Sequence, residues 1–151
     1  MKVFLDANLL IYLNTLGDKE KQSSDIEEFY SELLEGNDLY TNALILDETL
    51  YISKFRYRVP YDLTFEFLNK NVLPFSTVIP IDELDVSLME KYLARYKKLK
   101  PSDAIHLSTM EKFSVTNIAS EDVEFDAINE VKRIWFQKSQ KDSATKKLKE
   151  S

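Results

Sequence analysis

The sequence of 151 residues contains no cysteine, so disulfide bonds and thiolate metal sites are excluded and a reducing setting is expected. Glycine occurs only twice and proline four times, which leaves no material for long flexible linkers or for a glycine-rich phosphate-binding loop. A single histidine is present. Any metal site must therefore be built mainly from oxygen ligands.

Long apolar runs are missing as well, and no stretch approaches the roughly 18 residues of a membrane span. The chain begins with "MKVFLDANLLIYL", which faintly resembles a secretory signal. Asp6 and Asn8 interrupt this stretch, and no small-residue cleavage site follows. We therefore expect a cytoplasmic protein with no membrane partner.

The charge of the chain is −6 and unevenly distributed. Residues 138–151 carry five lysines and two acids, a net charge of +3, which leaves −9 for the remainder. The net negative charge argues against broad nucleic-acid binding, which needs a positive field. The acidic residues of positions 1–137 are typical of a solvated surface, and the alternative is that some of them are clustered functional carboxylates. We predict one domain over residues 1–137 and a basic, mobile tail over 138–151.

Strand-like and helix-like segments alternate along the domain. The predicted strands are "KVFL", "DLYT", "STVIPI", "VTNIAS" and "RIWFQ", and amphipathic segments separate them. Ser24 and Glu27 are predicted to form a capping box, Gly36 to end that helix, and Asp82 to cap a later one. This alternation indicates an α/β domain with a central, mostly parallel sheet.

Two acids lie at or just after the ends of predicted strands. Asp6 ends the first strand and Asp122 follows "VTNIAS". In open parallel sheets, ligands bind outside the carboxyl ends of the strands, so both side chains are candidates for a functional site. The alternative for each is a structural helix-capping or turn role.

Two further acids lie within predicted helices. Glu48 shares a helix face with four apolar residues at spacings of three, four and seven: Leu44, Tyr51, Ile52 and Phe55. This pattern predicts that the face points to the core, where an unpaired carboxylate would be costly. The alternative is an exposed edge of the stripe or a salt bridge. Asp103 opens the helix "SDAIHLSTM", and the structural alternative is that an acid in this first turn complements the helix dipole. Against that alternative, Leu107 and Met110 share the side of Asp103, which predicts that its side chain points inward.

Several acids at one sheet edge would repel one another and raise each other's pKa unless a cation joined them. Oxygen ligands favour a hard ion, Mg²⁺ or Mn²⁺. Such an ion suits phosphate chemistry, because it neutralises the charge that grows on phosphate and leaving-group oxygens.

Four segments together resemble the PIN-domain ribonucleases, particularly the VapC-like toxins of type II toxin–antitoxin systems. They are "VFLDANLLIYL", "TNALILDETLY", "LKPSDAIHLSTM" and "NIASEDVEFDAI", in the family's order and spacing over about residues 1–137. The resemblance implies a three-layer α/β/α sandwich and a Mg²⁺- or Mn²⁺-dependent endoribonuclease. The rival interpretation is a non-catalytic RNA- or protein-binding module that keeps the fold.

The resemblance also assigns roles to residues. Asp6, Glu48, Asp103 and Asp122 match the family's acidic quartet, in which the three Asp residues would hold the metal and Glu48 would orient the attacking water. Asn8 and Ser120 match the supporting polar positions. Toxins of this kind form homodimers and are silenced by a small antitoxin, so both partners are expected here.

An acidic nuclease needs local positive charge to hold RNA phosphates. Two basic segments, "KFRYRVPY" and "RYKKLK", supply candidates for RNA contact: Arg56, Arg58, Lys97, Lys98 and Lys100. The alternative for both is a solvated helix end. His106 follows Asp103 by three residues and could face the same groove, although a packed or hydrogen-bonded structural role is favoured.

Overall fold

The computed structural model describes residues 1–17 and 21–137. The predicted basic tail, residues 138–151, lies outside these ranges, and the domain boundary stays a prediction. The strands are β1 (Lys2–Leu5), β2 (Asp38–Asn42), β3 (Ser76–Ile79), β4 (Asn117–Ala119) and β5 (Lys132–Ile134). The helices are α1 (Ala7–Thr15), α2 (Lys21–Leu34), α3 (Ala43–Phe55), α4 (Tyr61–Asn71), α5 (Glu83–Arg95) and α6 (Pro101–Lys112), with short 3₁₀ helices at Leu73–Phe75 and Val123–Ala127.

All five strands form one parallel sheet in the order β3-β2-β1-β4-β5. The central strand β1 is apolar and fully buried at Val3, Phe4 and Leu5, as expected for a strand covered by helices on both faces. The predicted α/β class, with a parallel sheet flanked by helices, is confirmed.

The sheet order reverses between β1 and β4. From β1 the chain continues outward to β2 and β3, whereas β4 and β5 lie on the other side. Leu5 pairs with Ala119, and the backbone N–H of Asp6 donates to the Ala119 carbonyl at 3.1 Å. The residues after β1 and β4 therefore meet at the switch point, where open α/β sheets bind ligands.

Helix termini follow two of the three predicted signals. Asp82 caps α5 and forms a capping box with Asp85, and Gly36 adopts a φ of +78° just after α2. The capping box predicted at Ser24 is wrong, because α2 is already helical from Lys21 and Ser24 lies inside it.

The predicted core face of α3 is also wrong. The buried residues of this helix are Ile45, Thr49 and Ser53, whereas Tyr51 and Phe55 are exposed at 56% and 63%. Small polar residues therefore line the buried stripe of α3, a pattern that apolar periodicity does not reveal.

Within the described residues, no helix combines the length and the apolar character needed to cross a bilayer.

Candidate active site

Asp6 lies at the end of β1 and serves two structural elements at once. Its Oδ1 accepts the backbone N–H of Ala7 at 2.8 Å and so caps α1. Its Oδ2 accepts the hydroxyl of Ser120 at 2.6 Å and the amide of Asn8 at 3.3 Å. The side chain is buried, and this burial raises the pKa of Asp6 above its ordinary value. The capping alternative and the functional interpretation are thus compatible.

Ser120 joins the ends of β1 and β4. Its hydroxyl oxygen accepts the side-chain amide of Asn8 at 3.1 Å and the backbone N–H of Asp122 at 3.0 Å. Asn8 Oδ1 in turn accepts the backbone N–H of Glu121 at 3.2 Å. The two supporting polar residues predicted from the sequence therefore fix the Asp6 carboxylate and the segment that carries Asp122.

Asp103 lies in the first turn of α6 and is half-buried. Burial raises the pKa of Asp103 to about 6, and the negative charge of Asp6 adds to this effect. His106 acts in the opposite direction, and the charges of Asp122 and Glu48 raise the pKa further. The charges of the other three predicted acids therefore all act on Asp103.

Asp122 is half-buried and caps the 3₁₀ helix Val123–Ala127, since its Oδ1 accepts the backbone N–H of Glu124 at 3.0 Å. As at Asp6, the capping hydrogen bond fixes the orientation of the carboxylate.

Glu48 lies beside the buried face of α3, with its side chain 33% exposed. Its Oε1 lies 3.1 Å from Nε2 of His106, which is fully buried. Glu48, His106 and Asp6 each offer a ligand atom within 4.8 Å of the others. Asp103 and Asp122 lie outside this group, so it overlaps the predicted ligand set at Asp6 alone.

The donor set of this site suits a divalent cation. Several carboxylates converge where burial and mutual repulsion already raise the pKa of Asp6 and Asp103. A bound cation would remove that penalty by stabilising the ionised forms. The residues present therefore fit the metal that the resemblance implies.

The predicted RNA-contacting residues lie on two exposed segments. Lys97, Lys98 and Lys100 belong to the loop that joins α5 to α6, directly before Asp103. Lys97 and Lys98 line a cavity of about 430 Å³ whose other walls include Tyr96, Leu99 and Ile128. The cavity therefore lies between the loop that leads to Asp103 and the 3₁₀ helix that follows Asp122.

Arg56 and Arg58 follow α3. The charge of Arg56 acts on Tyr12 of α1. The Tyr12 hydroxyl donates a hydrogen bond to Glu121, and this bond together with burial raises the pKa of Tyr12 to about 12. The positive charge of Arg56 acts in the opposite direction and lowers that pKa. Arg58 adopts a positive φ of 60° in the turn after α3.

The contact between His106 and Glu48 was not predicted. The only sequence signal was the spacing of three residues from Asp103, which places a helical side chain on the same side. The contact joins a residue of α6 to a residue of α3, so it is invisible in either helix alone.

Residues 3–131 match the family described as "PIN domain". A VapC ribonuclease of Mycobacterium bovis is 28% identical over 135 residues, which cover 87% of this chain and 98% of that protein. Among solved structures, VapBC2 of Rickettsia felis bound to a fragment of its promoter DNA matches with a TM-score of 0.69 and 12% identity, covering 91% of this chain and 100% of that one. VapC20 of Mycobacterium tuberculosis, described as a sarcin-ricin loop cleaving toxin, matches with a TM-score of 0.68 and 14% identity, covering 84% and 95%.

Proposed function

This chain belongs to the PIN-domain family, and we propose that it is a Mg²⁺- or Mn²⁺-dependent endoribonuclease of the VapC kind. The observation that supports the proposal is the burial of Asp6 at the switch point of the sheet, where its charge and those of Glu48 and Asp122 act on Asp103. The similarity to a VapC ribonuclease over 87% of the chain supports the same activity.

Each polar residue at the site has a distinct task in this proposal. Asp6, Asp103 and Asp122 would hold the metal, which when bound neutralises charge on the scissile phosphate. Asn8 and Ser120 keep the Asp6 carboxylate in place through their hydrogen bonds to Oδ2. Glu48, part of whose side chain is exposed, orients the attacking water and accepts its proton.

The products of cleavage test this chemistry. When water is the nucleophile, neither product carries a 2′,3′-cyclic phosphate, and a substrate with a 2′-deoxy sugar at the scissile position is still cut. We expect both results from purified, partner-free protein supplied with Mn²⁺. A cyclic phosphate end would contradict hydrolysis by water, and RNA binding without any cleavage would favour the non-catalytic module.

The basic loop before α6 is proposed to contact RNA phosphates beside the site. Replacing Lys97 and Lys98 together by Ala should raise KM and leave kcat unchanged, because these cations bind the backbone away from the reacting atoms. The salt dependence of RNA binding, measured in EDTA, should weaken by about 0.7 in log–log slope for each lost phosphate contact on single-stranded RNA.

Lys70→Ala provides the matched control, because Lys70 is exposed on α4 and pairs with Glu66. An unchanged salt slope in the double variant, or the same loss in Lys70→Ala, would remove the loop from the RNA-binding surface. The same assay applied to Arg56→Ala and Arg58→Ala decides whether the turn after α3 contributes as well.

We also propose that the chain acts as the toxin of a toxin–antitoxin pair and forms a homodimer. Similarity to VapBC2 along 91% of the chain supports the partner. Expression of the chain alone should arrest growth, and co-expression with the product of an adjacent short reading frame should relieve the arrest and yield a co-purified complex. Harmless expression of active protein without any co-purifying small protein would contradict the toxin role, and a monomer in sedimentation would contradict the homodimer.

A further inference from the structure

A buried polar network behind Glu48 determines which nitrogen of His106 carries the proton. Asn42 caps α3, and its Oδ1 accepts the backbone N–H of Ile45 at 2.9 Å. This bond fixes the orientation of the amide, so that Nδ2 is the atom that faces His106. Nδ2 lies 3.1 Å from Nδ1 of His106 and also donates to Thr109 Oγ1 at 3.1 Å. An amide nitrogen only donates, so Nδ1 of His106 must be the acceptor.

The proton of the neutral imidazole is then on Nε2. This nitrogen lies 3.1 Å from Oε1 of Glu48, and an ionised carboxylate can only accept. The ring is fully buried and packs beside Phe4, with ring centroids 5.7 Å apart, so the surrounding core holds it in this orientation. A continuous chain of hydrogen bonds therefore runs from the end of β2 through Asn42 and His106 to Glu48.

We propose that His106 is a positioning residue that holds Glu48 for the reaction, and that it is not a metal ligand. Distance alone would permit ligation, because Asp6, Glu48 and His106 each offer an atom within 4.8 Å of the others. The network excludes it, since a ligating nitrogen needs a free lone pair, and the one on Nδ1 is occupied by Asn42.

Two consequences follow from this assignment. The ligand set of the metal consists of oxygens, which favours Mg²⁺ or Mn²⁺ over Zn²⁺. His106 acts through Glu48 as an outer partner of the site, a kind of residue whose loss costs about 10- to 100-fold in activity or metal affinity. The role of His106 in holding Glu48 rests on the proposed ribonuclease function. The assignment of the imidazole proton to Nε2 is independent of that function.

Nitrogen NMR of the imidazole tests the proton assignment directly. His106 is the only histidine of the chain, so tag-free, ¹⁵N-labelled protein gives a single imidazole spin system. We expect Nε2 to be protonated and Nδ1 unprotonated in metal-free protein, and the Nε2 proton to remain at saturating Mg²⁺. Protonation of Nδ1 alone, or loss of the Nε2 proton when Mg²⁺ is added, would overturn the proposal.

Asn42→Asp is a variant that should change the proton without removing the helix cap, because Asp and Asn cap helices equally well. The new carboxylate can only accept, so Nδ1 of His106 should become protonated in the same NMR experiment. An Nδ1 that stays unprotonated in this variant would show that Asn42 does not set the tautomer.

Kinetics test the positioning role. His106→Leu should lower kcat by about 10- to 100-fold with little change in KM for RNA. His106→Gln should recover most of that loss, since its amide can donate an N–H to Glu48. Equal losses in the two variants, or full activity of His106→Leu, would overturn the role. A wild-type protein that cuts no RNA would overturn the proposed function, while the NMR result still decides on ligation.

Discussion

Asp6→Asn is expected to lower the rate of RNA cleavage by about 10³-fold or more. A catalytic metal supplies several kcal/mol of stabilisation to the developing charge, and every 1.4 kcal/mol is tenfold in rate. Asp6 is central to this effect, because it lies at the switch point and its Oδ2 is held by both Ser120 and Asn8. An Asn side chain has nearly the same shape but lacks the negative charge that binds a cation.

Titration calorimetry with Mn²⁺ separates loss of metal from loss of fold. We expect binding to the wild type and much weaker binding to Asp6→Asn, with the circular dichroism spectrum unchanged. Asp47→Asn is the matched control, because Asp47 is an exposed acid next to Glu48 on α3. Equal Mn²⁺ binding by wild type and Asp6→Asn would remove Asp6 from the metal site.

Asp103→Asn should stabilise the metal-free protein while it abolishes cleavage. Burial and neighbouring acids raise the pKa of Asp103 from 3.8 to about 6, so the ionised carboxylate destabilises the fold at neutral pH. Removing this charge should increase the free energy of unfolding by about 1–3 kcal/mol, after allowance for partial solvent exposure. The expected rise in Tm, measured in EDTA, is a few degrees.

The pH dependence of stability has a definite sign at this residue. The folded protein binds the proton of Asp103 more tightly than the unfolded chain, because the pKa is higher in the folded state. The stability that this carboxyl contributes is therefore present at low pH and is lost as the pH rises from 3.8 to about 6. Unfolding curves of the metal-free wild type should contain this loss, and those of Asp103→Asn should not.

With a divalent cation present, the wild type should have a higher Tm than Asp103→Asn, the reverse of the order expected in EDTA. The reason is that the cation binds the folded wild type and stabilises it. Asp47→Asn again serves as the control, since removal of an exposed acid should leave the Tm almost unchanged. A lower Tm of Asp103→Asn in EDTA would contradict the destabilising effect that we assign to the buried, ionised Asp103 carboxylate.

Much of the site could be predicted from the sequence because strand ends are visible in it. The strand "KVFL" is followed at once by Asp6, and Asp122 lies two residues after "NIAS". Parallel pairing of the two strands therefore places both acids at the same edge of the sheet. Ser120 and Asn8, to which the family resemblance assigns a supporting role, both donate hydrogen bonds to Asp6. The predicted family is confirmed by the match over residues 3–131.

Contacts between helices could not be predicted in the same way. Apolar periodicity assigned α3 the wrong buried face, because its true face carries Thr49 and Ser53. These residues satisfy their hydrogen bonds locally or with a neighbour: Thr49 donates to the Ile45 carbonyl, and Ser53 accepts from Asn14. Such polar burial depends on partners distant in sequence, as does the contact of His106 with Glu48.

Cleavage of an end-labelled, single-stranded RNA by purified, partner-free wild-type protein tests the central claim most directly. With Mn²⁺ we expect internal cuts that disappear in EDTA and return when Mn²⁺ is restored. RNA that is bound but never cut would contradict the assignment of a ribonuclease, and equal cutting with Mn²⁺ and with EDTA would contradict the metal site built on Asp6.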